Sequence, residues 1–342
     1  MNKDTSYLLV TGGAGFIGSN FISYYVSKYP DTQVLNVDKL TYAGSTANLT
    51  DVEDCSNYHF IQGDITDEAF VKRLFIDYPI DGVIHFAAES HVDRSIEDAS
   101  SFIDTNVKGT MILLQAAKHA WQESGKLEAA RFHQISTDEV YGSLGDDDKF
   151  NEHTPYNPRN PYSASKAGAN FLVTSFGSTY GMNVVISSSS NNYGPRQHVE
   201  KLIPKIISNA LNHQTIPIYG DGKNVRDWLF VEDHCRALDV IYHQGETMES
   251  YNVGGGNEMT NIDLATQICT ILDERYADQK GALKNFTELI TCTEDRLGHD
   301  RRYAVDDTKL RGTLGWQPLV DMEKGLQQTV DWYVKQWLML NH

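Results

Sequence analysis

The sequence predicts an α/β fold: a doubly wound parallel sheet followed by a smaller, mixed α/β C-terminal portion. Three observations carry this. Short apolar runs alternate with helix-period segments through the first half of the chain, a glycine cluster stands at the first strand-to-helix junction, and an acid closes the second strand. Alternating strands and helices mean βαβ units, which build a parallel sheet covered on both faces. Right-handed crossovers make such a sheet doubly wound.

Strands are predicted at Tyr7–Thr11, Gln33–Val37, His59–Gln62, Gly82–Ala87, Arg131–Ser136 and Asn183–Ser188. Helices are predicted between them at Phe16–Lys28, Glu68–Tyr78, Ser101–Trp121 and Tyr162–Tyr180. After about residue 190 the pattern loosens. Asn191–Arg196 reads as loop, Leu202–Leu211 as helix, and short helices and strands mix from Asn261 onward. Residues 1–188 with about 222–250 are therefore assigned to a first, dinucleotide-binding domain. Residues from about 189 to 221 and 251 to 342 form a second, ligand-holding one.

Composition narrows the function. The 342 residues suffice for one large unit or two joined domains. No apolar run reaches the about 18 residues of a membrane span, and a short polar lead runs directly into the first strand without a signal-peptide pattern. A cytoplasmic location is expected. Cys55, Cys235, Cys269 and Cys292 show no metal-binding spacing, so neither a metal site nor a disulfide framework is expected. The net charge of −17 disfavours nucleic acid and anionic membranes as partners. A small anionic ligand remains compatible, because a phosphate needs only a few local donors.

Tyr7–Thr11 leads into Gly12-Gly13-Ala14-Gly15-Phe16-Ile17-Gly18 and then a helix pattern. Gly12, Gly15 and Gly18 let the chain turn sharply and let backbone approach a pyrophosphate, while the helix start offers unpaired amides. Clustered glycine is common in loops; its place at the first βα junction makes this a Rossmann-like dinucleotide site. Asp38 stands twenty residues after Gly18, where a carboxylate accepts from ribose hydroxyls and repels a 2′-phosphate. NAD is expected over NADP, with Lys39 softening the repulsion. Asp64-Ile65 and Ala87-Ala88 follow the third and fourth strands and face the crevice at the strand ends, although each alone reads as a turn acid or core filler.

Tyr162 and Lys166 are four apart, on one helix face. A phenol is a poor base at neutral pH unless a nearby cation favours its phenolate. Downstream of a dinucleotide site, the pair points to oxidation of an alcohol. The stretch Thr137-Asp138-Glu139 ends the fifth strand at the same crevice. Alcohol oxidation has little use for adjacent acids. Dehydration needs a carboxylate to take a carbon-bound proton and a carboxylic acid to protonate a departing hydroxyl, roles that two close carboxyls fill when their ionisations are split.

These motifs, in this order, resemble the extended short-chain dehydrogenase/reductase family through most of the chain. Thr137-Asp138-Glu139, Asp38–Gly44, Ala87–Asp93, Asn191–Pro195, Glu200–Pro204, Arg226-Asp227-Trp228 and Asp295–Asp300 resemble its nucleotide-sugar 4,6-dehydratase branch. Leu297 departs from that branch, which has proline there. The resemblance implies an NAD cofactor, a dTDP-glucose substrate and a homodimer formed through helices near Ser101–Trp121 and Tyr162–Tyr180. It implies C4 oxidation with Tyr162 as base and Thr137 bonded to the same oxygen. Glu139 then removes the C5 proton, Asp138 protonates the C6 hydroxyl, and hydride returns to C6. It adds Phe16, Ile17, Lys39, Thr41, Ser90, Thr105, Lys166 and Asn192 to the cofactor contacts. Asn191, Lys201, Leu202, Arg226, Asn261, Asp295, Arg296 and His299 fall to the nucleotide and diphosphate, Pro217, Ile218 and Tyr219 to the thymine, and Ser90 and His91 to the substrate. His91 reads equally well as a structural histidine. A 4-epimerase or a dehydratase of another nucleotide sugar is the alternative enzyme, and a non-catalytic NAD-binding scaffold the alternative outside enzymes.

Overall fold

The computed structural model describes residues 6–295 and 299–341. Its core is a seven-stranded sheet in the order β10-β6-β5-β4-β1-β2-β3, parallel at every pairing. The strands are β1 (Tyr7–Thr11), β2 (Gln33–Asp38), β3 (Tyr58–Gln62), β4 (Ile80–His85), β5 (Arg131–Thr137), β6 (Asn183–Ser189) and β10 (Ser250–Val253). Val34, Leu35 and Val37 of β2 and Phe132 of β5 are fully buried, as strands covered on both faces require. The chain steps outward from β1 to β2 and β3 and crosses back to β4. That reversal opens a crevice at the carboxyl ends of β1 and β4.

The crossovers match the periodicity. Helix α1 (Phe16–Lys28) has the predicted bounds, and α2 (Glu68–Asp77) is capped by the Asp67 carboxylate, which accepts from the Phe70 amide at 3.0 Å. Helix α5 (Pro161–Tyr180) starts on an Asn160–Ser163 capping box with proline in its first turn, and Gly181 ends it at φ 72°. The helix expected at Ser101–Trp121 is not regular. A π-helical stretch, Ile103–Gly109, precedes the α-helical part, Thr110–Glu123 (α4).

The second layer differs from the expected division. Strand β9 (Val225–Phe230) pairs with β7 (Asn191–Tyr193) and β11 (Glu258–Thr260) in a three-stranded sheet, and Trp228 and Phe230 join the core of the smaller portion. The following helix α7 (Val231–Gln244) packs on α1, and β10 completes the large sheet beside β6. The return to the large sheet therefore spans 231–253 rather than 222–250. Residues 250–253 form only a four-residue strand whose period is too short to announce itself. Helices α6 (Leu202–Leu211), α8 (Asn261–Arg275) and α10 (Met322–Asn341) cover the small sheet, and β8 (Ile216–Tyr219) pairs with β12 (Ile290–Thr293). No described helix is long and apolar enough to cross a membrane.

Candidate active site

A cavity of about 670 Å³ lies along the carboxyl ends of β1, β2, β4 and β5 and runs under the smaller portion. Its glycine wall is sterically fixed. Gly12 holds φ +73°, and a side chain there would stand 2.5 Å from the Ala87 nitrogen. One at Gly18 would meet the Gly12 oxygen at 2.4 Å. Gly15 caps α1 without any side-chain bond, which leaves the first amides of the helix toward the cavity. Phe16, Ile17, Thr41, Ile65, Ala88, Ser90 and Thr105 line the same space. Gly13, by contrast, is bare because Asn36 and Ile22 fill the room a side chain would need.

Asp38 is buried at the end of β2 and accepts from the amides of Ala14 at 2.9 Å and Leu40 at 2.8 Å. Burial raises its pKa, and the two amides oppose the rise. Lys39 turns away to pair with Asp64 at 2.7 Å, so it does not neutralise Asp38. Amides at a helix start, a glycine cradle and a buried acid fit a dinucleotide that lacks a 2′-phosphate.

Strand β5 ends in Thr137 and leads into Asp138 and Glu139 on the cavity wall. Thr137 caps the short 3₁₀ turn Asp138–Tyr141, its hydroxyl accepting from the Glu139 amide at 3.3 Å and donating to Asp138 Oδ1 at 3.4 Å. Asp138 is almost wholly buried and its Oδ2 has no hydrogen-bond partner. Burial first, then the charge of Glu139, pushes its pKa well above the ordinary carboxylate value, which favours the protonated acid. The half-buried Glu139 adjoins it on the cavity wall.

Tyr162 stands in the first turn of α5, edge-on to Phe102 at 6.4 Å. Burial, then Glu139, raises its phenol pKa, while the Thr137 hydroxyl opposes the rise. Lys166, one turn on, donates to the Ile135 main-chain oxygen at 2.7 Å, and burial lowers its pKa to about 8. The lysine is thereby held by β5.

The smaller portion brings Asn191, Lys201, Leu202, Pro217, Ile218, Tyr219, Asn261 and His299 to the cavity. The side-chain oxygens of Asn191 and Asn261 are buried without partners, as acceptors awaiting a ligand would be. Lys201 bonds the Ser90 oxygen at 3.0 Å. Three of the expected contact residues are engaged within the protein. Arg226 donates to the main-chain oxygens of Val225 at 2.8 Å and Asp300 at 2.9 Å and stacks on Tyr303 at 4.4 Å. Asp295 holds His299 Nδ1 at 2.6 Å. Asn192 lines the cavity, but its amide bonds Ser189 and its oxygen shares a hydrogen bond with His234 at 2.8 Å. His91 reaches the cavity while capping α3 (Val92–Glu97) and lying 3.5 Å from Glu200. Arg296 lies outside the described residues. Glu89, Ser189, Gln197, His198, Glu200 and Lys205 line the cavity without having been singled out. Lys205 was legible, four residues after Lys201 on the same helix face. Among the described residues no cluster of His, Cys, Asp or Glu is suited to a metal ion.

Known proteins match this layout. The family model described as GDP-mannose 4,6 dehydratase covers residues 9–329. A dTDP-glucose 4,6-dehydratase of Neisseria gonorrhoeae is 52% identical, over 96% of this chain and 95% of the relative. One from Haemophilus influenzae is 48% identical over 96% and 97%. The chain belongs to the dTDP-glucose 4,6-dehydratases of the extended short-chain dehydrogenase/reductase family. Solved members superpose closely. The dehydratase of Streptomyces venezuelae with NAD bound has a TM-score of 0.87 at 42% identity, covering 97% of this chain and 98% of that one. The dehydratase of Bacillus anthracis in complex with NAD has 0.85 at 41%, covering 97% of each. A UDP-glucose 4-epimerase of Thermotoga maritima reaches 0.84 at 28%, covering 97% and 99%, so the shared fold does not separate these chemistries.

Proposed function

We propose that the chain converts dTDP-glucose to dTDP-4-keto-6-deoxyglucose and water. The observation that carries this is the buried Asp138, its Oδ2 without a hydrogen-bond partner, beside Glu139 within the cavity that also holds Tyr162. An epimerase has no step that needs a second acid.

The glycine turn, the amides opening α1, Asp38 and Lys166 hold NAD. When bound, NAD accepts the C4 hydrogen as hydride and later returns it to C6. Thr137 and Tyr162 address the C4 hydroxyl, and Tyr162 takes its proton. The resulting ketone acidifies C5, where Glu139 removes the proton, and a proton returns to C5 when hydride reaches C6. Asp138, whose burial favours the protonated acid, delivers a proton to the departing C6 hydroxyl. Elimination follows oxidation because only the ketone makes the C5 hydrogen acidic. The unpartnered oxygens of Asn191 and Asn261, with Lys201 and Lys205, suit the nucleotide and diphosphate end.

The exposed Ile103, Phe171 and Tyr180, at 49%, 63% and 42%, lie on the π-helical stretch and α5. An apolar face on these helices suits pairing of two copies, and we assign the dimer contact there. The cytoplasm is the compartment we assign.

Substrate deuterated at C4 tests the reaction. The product is expected to carry the label at C6 with no net reduced cofactor. Unlabelled product refutes the internal hydride return, and no product refutes the substrate.

A further inference from the structure

Beyond the nucleotide-end residue His299, the chain runs as an extended strap between two parts of the site. On one side Arg301 donates to Ser143 Oγ at 3.1 Å, Leu144 to the Arg302 oxygen at 3.1 Å and Phe150 to the Ala304 oxygen at 2.9 Å. On the other, Val225 of β9 donates to the Arg301 oxygen at 2.9 Å and Tyr303 to the Val225 oxygen at 3.2 Å. The strap is therefore bonded both to the small sheet and to the loop leaving Asp138 and Glu139.

Tyr303 is the side chain at the centre of this arrangement. It is buried in one apolar cluster with Val140 and Tyr141, the residues that directly follow the two acids. Its phenol donates to the Asp300 carboxylate. The Asp300 main-chain oxygen receives Arg226 at 2.9 Å and Asn224 at 3.2 Å. The Arg226 guanidinium closes the far face of the ring. Burial, then the charge of Glu139, pushes the phenol pKa up, so it remains a neutral donor. None of the proton transfers above uses it.

We propose that Tyr303 is a positioning residue for Asp138 and Glu139, tying the turn that carries them to the strap so that seating of the nucleotide at His299 fixes where the acids stand. This rests on the dehydratase reading. A one-ångström error in an acid's place is enough to slow a proton transfer about a hundredfold, while alcohol oxidation at Tyr162 is left alone.

Tyr303→Phe keeps the ring and removes the donor. The expected result is a kcat lower by about tenfold with KM within about twofold. Reduced nicotinamide absorbance should build up during turnover, because C4 oxidation continues while elimination lags. Asp300→Asn, which still offers the phenol an oxygen acceptor, should stay within about threefold of the parent, and Asp300→Ala should behave as Tyr303→Phe. A parental kcat in Tyr303→Phe, or a loss without build-up of reduced cofactor, overturns the proposal. If Tyr303→Phe does not fold, the Asp300 pair decides, and equal behaviour of Asn and Ala overturns it. No turnover of dTDP-glucose by the parent protein overturns the activity itself, and this proposal with it.

Discussion

The Lys166 ammonium donates to the main-chain oxygen of Ile135 at 2.7 Å, across the gap between helix α5 and strand β5. It thus joins the helix that carries Tyr162 to the strand that carries Thr137, and the reacting groups of the two elements are held in register by one buried charge. Burial brings its pKa from 10.5 to about 8. The folded chain releases this proton near pH 8 while the unfolded chain keeps it to 10.5. Between those values the unfolded state binds more protons, so stability rises with pH there.

Replacing the lysine should separate stability from activity. Lys166→Met is expected to abolish turnover yet gain up to about 3 kcal/mol at neutral pH, an order-of-magnitude figure from the shift. The gain should shrink to nothing as pH rises through 10.5. Denaturant melts of the cofactor-free protein across this window measure it, and a gain independent of pH would contradict the buried charge.

Glu139→Gln removes the base and leaves the shape. A fall in kcat of about 10² to 10⁴, the range of a lost general base, is expected with little change in KM. Steady-state kinetics on dTDP-glucose decide this, since unchanged kcat with a large rise in KM would make Glu139 a binding group.

Asp38→Asn should loosen cofactor choice. The carboxylate accepts from Ala14 and Leu40 and remains buried, with no cation of its own because Lys39 is paired to Asp64. An amide keeps one acceptor oxygen and drops the charge that repels a 2′-phosphate. The NAD-to-NADP preference, read by equilibrium titration of both, is expected to fall by about tenfold or more. An unaltered ratio would assign discrimination elsewhere.

Arg226→Lys keeps the charge but cannot keep the fork. The guanidinium serves the main-chain oxygens of Val225, Arg301 and Asp300 and lies on Tyr303, and an ammonium cannot reproduce all of these contacts. A loss of about 1–3 kcal/mol is expected from buried oxygens left without donors. Urea unfolding midpoints measure it; a stability equal to the parent would return Arg226 to the role of a simple charge.

Much of this was legible before any coordinates. Tyr7–Thr11, Phe16–Lys28 and Leu202–Leu211 have the bounds their periodicity predicts, because each is set by local signals: glycine beside the first two, Lys201 and Asn212 at the ends of the third. Thr137, Asp138, Glu139, Tyr162 and Lys166 meet in one cavity because strand ends and helix starts converge at the switch point. What escaped depends on contacts distant in sequence. The contacts of Arg226 with Tyr303 and Asp300 have no local signal, and the seventh strand is defined only by pairing with β6. His91, ambiguous from sequence, both caps α3 and reaches the cavity.

The π-helical stretch Ile103–Gly109 shows how one continuous helix meets three separate demands. Before it, Phe102 packs on Tyr162; within it, Thr105 faces the cavity and Asn106 donates to Ser165 Oγ at 2.8 Å; after it, Ile112 to Leu114 are buried in the core of the large sheet. A regular helix turns through about 100° per residue and cannot serve all three directions in this register. The wide turn works as a built-in phase correction, the equivalent of one added residue that neither ends the helix nor bends it into a loop. A redesign that regularised these residues would improve the local hydrogen bonding and rotate the cofactor wall out of place.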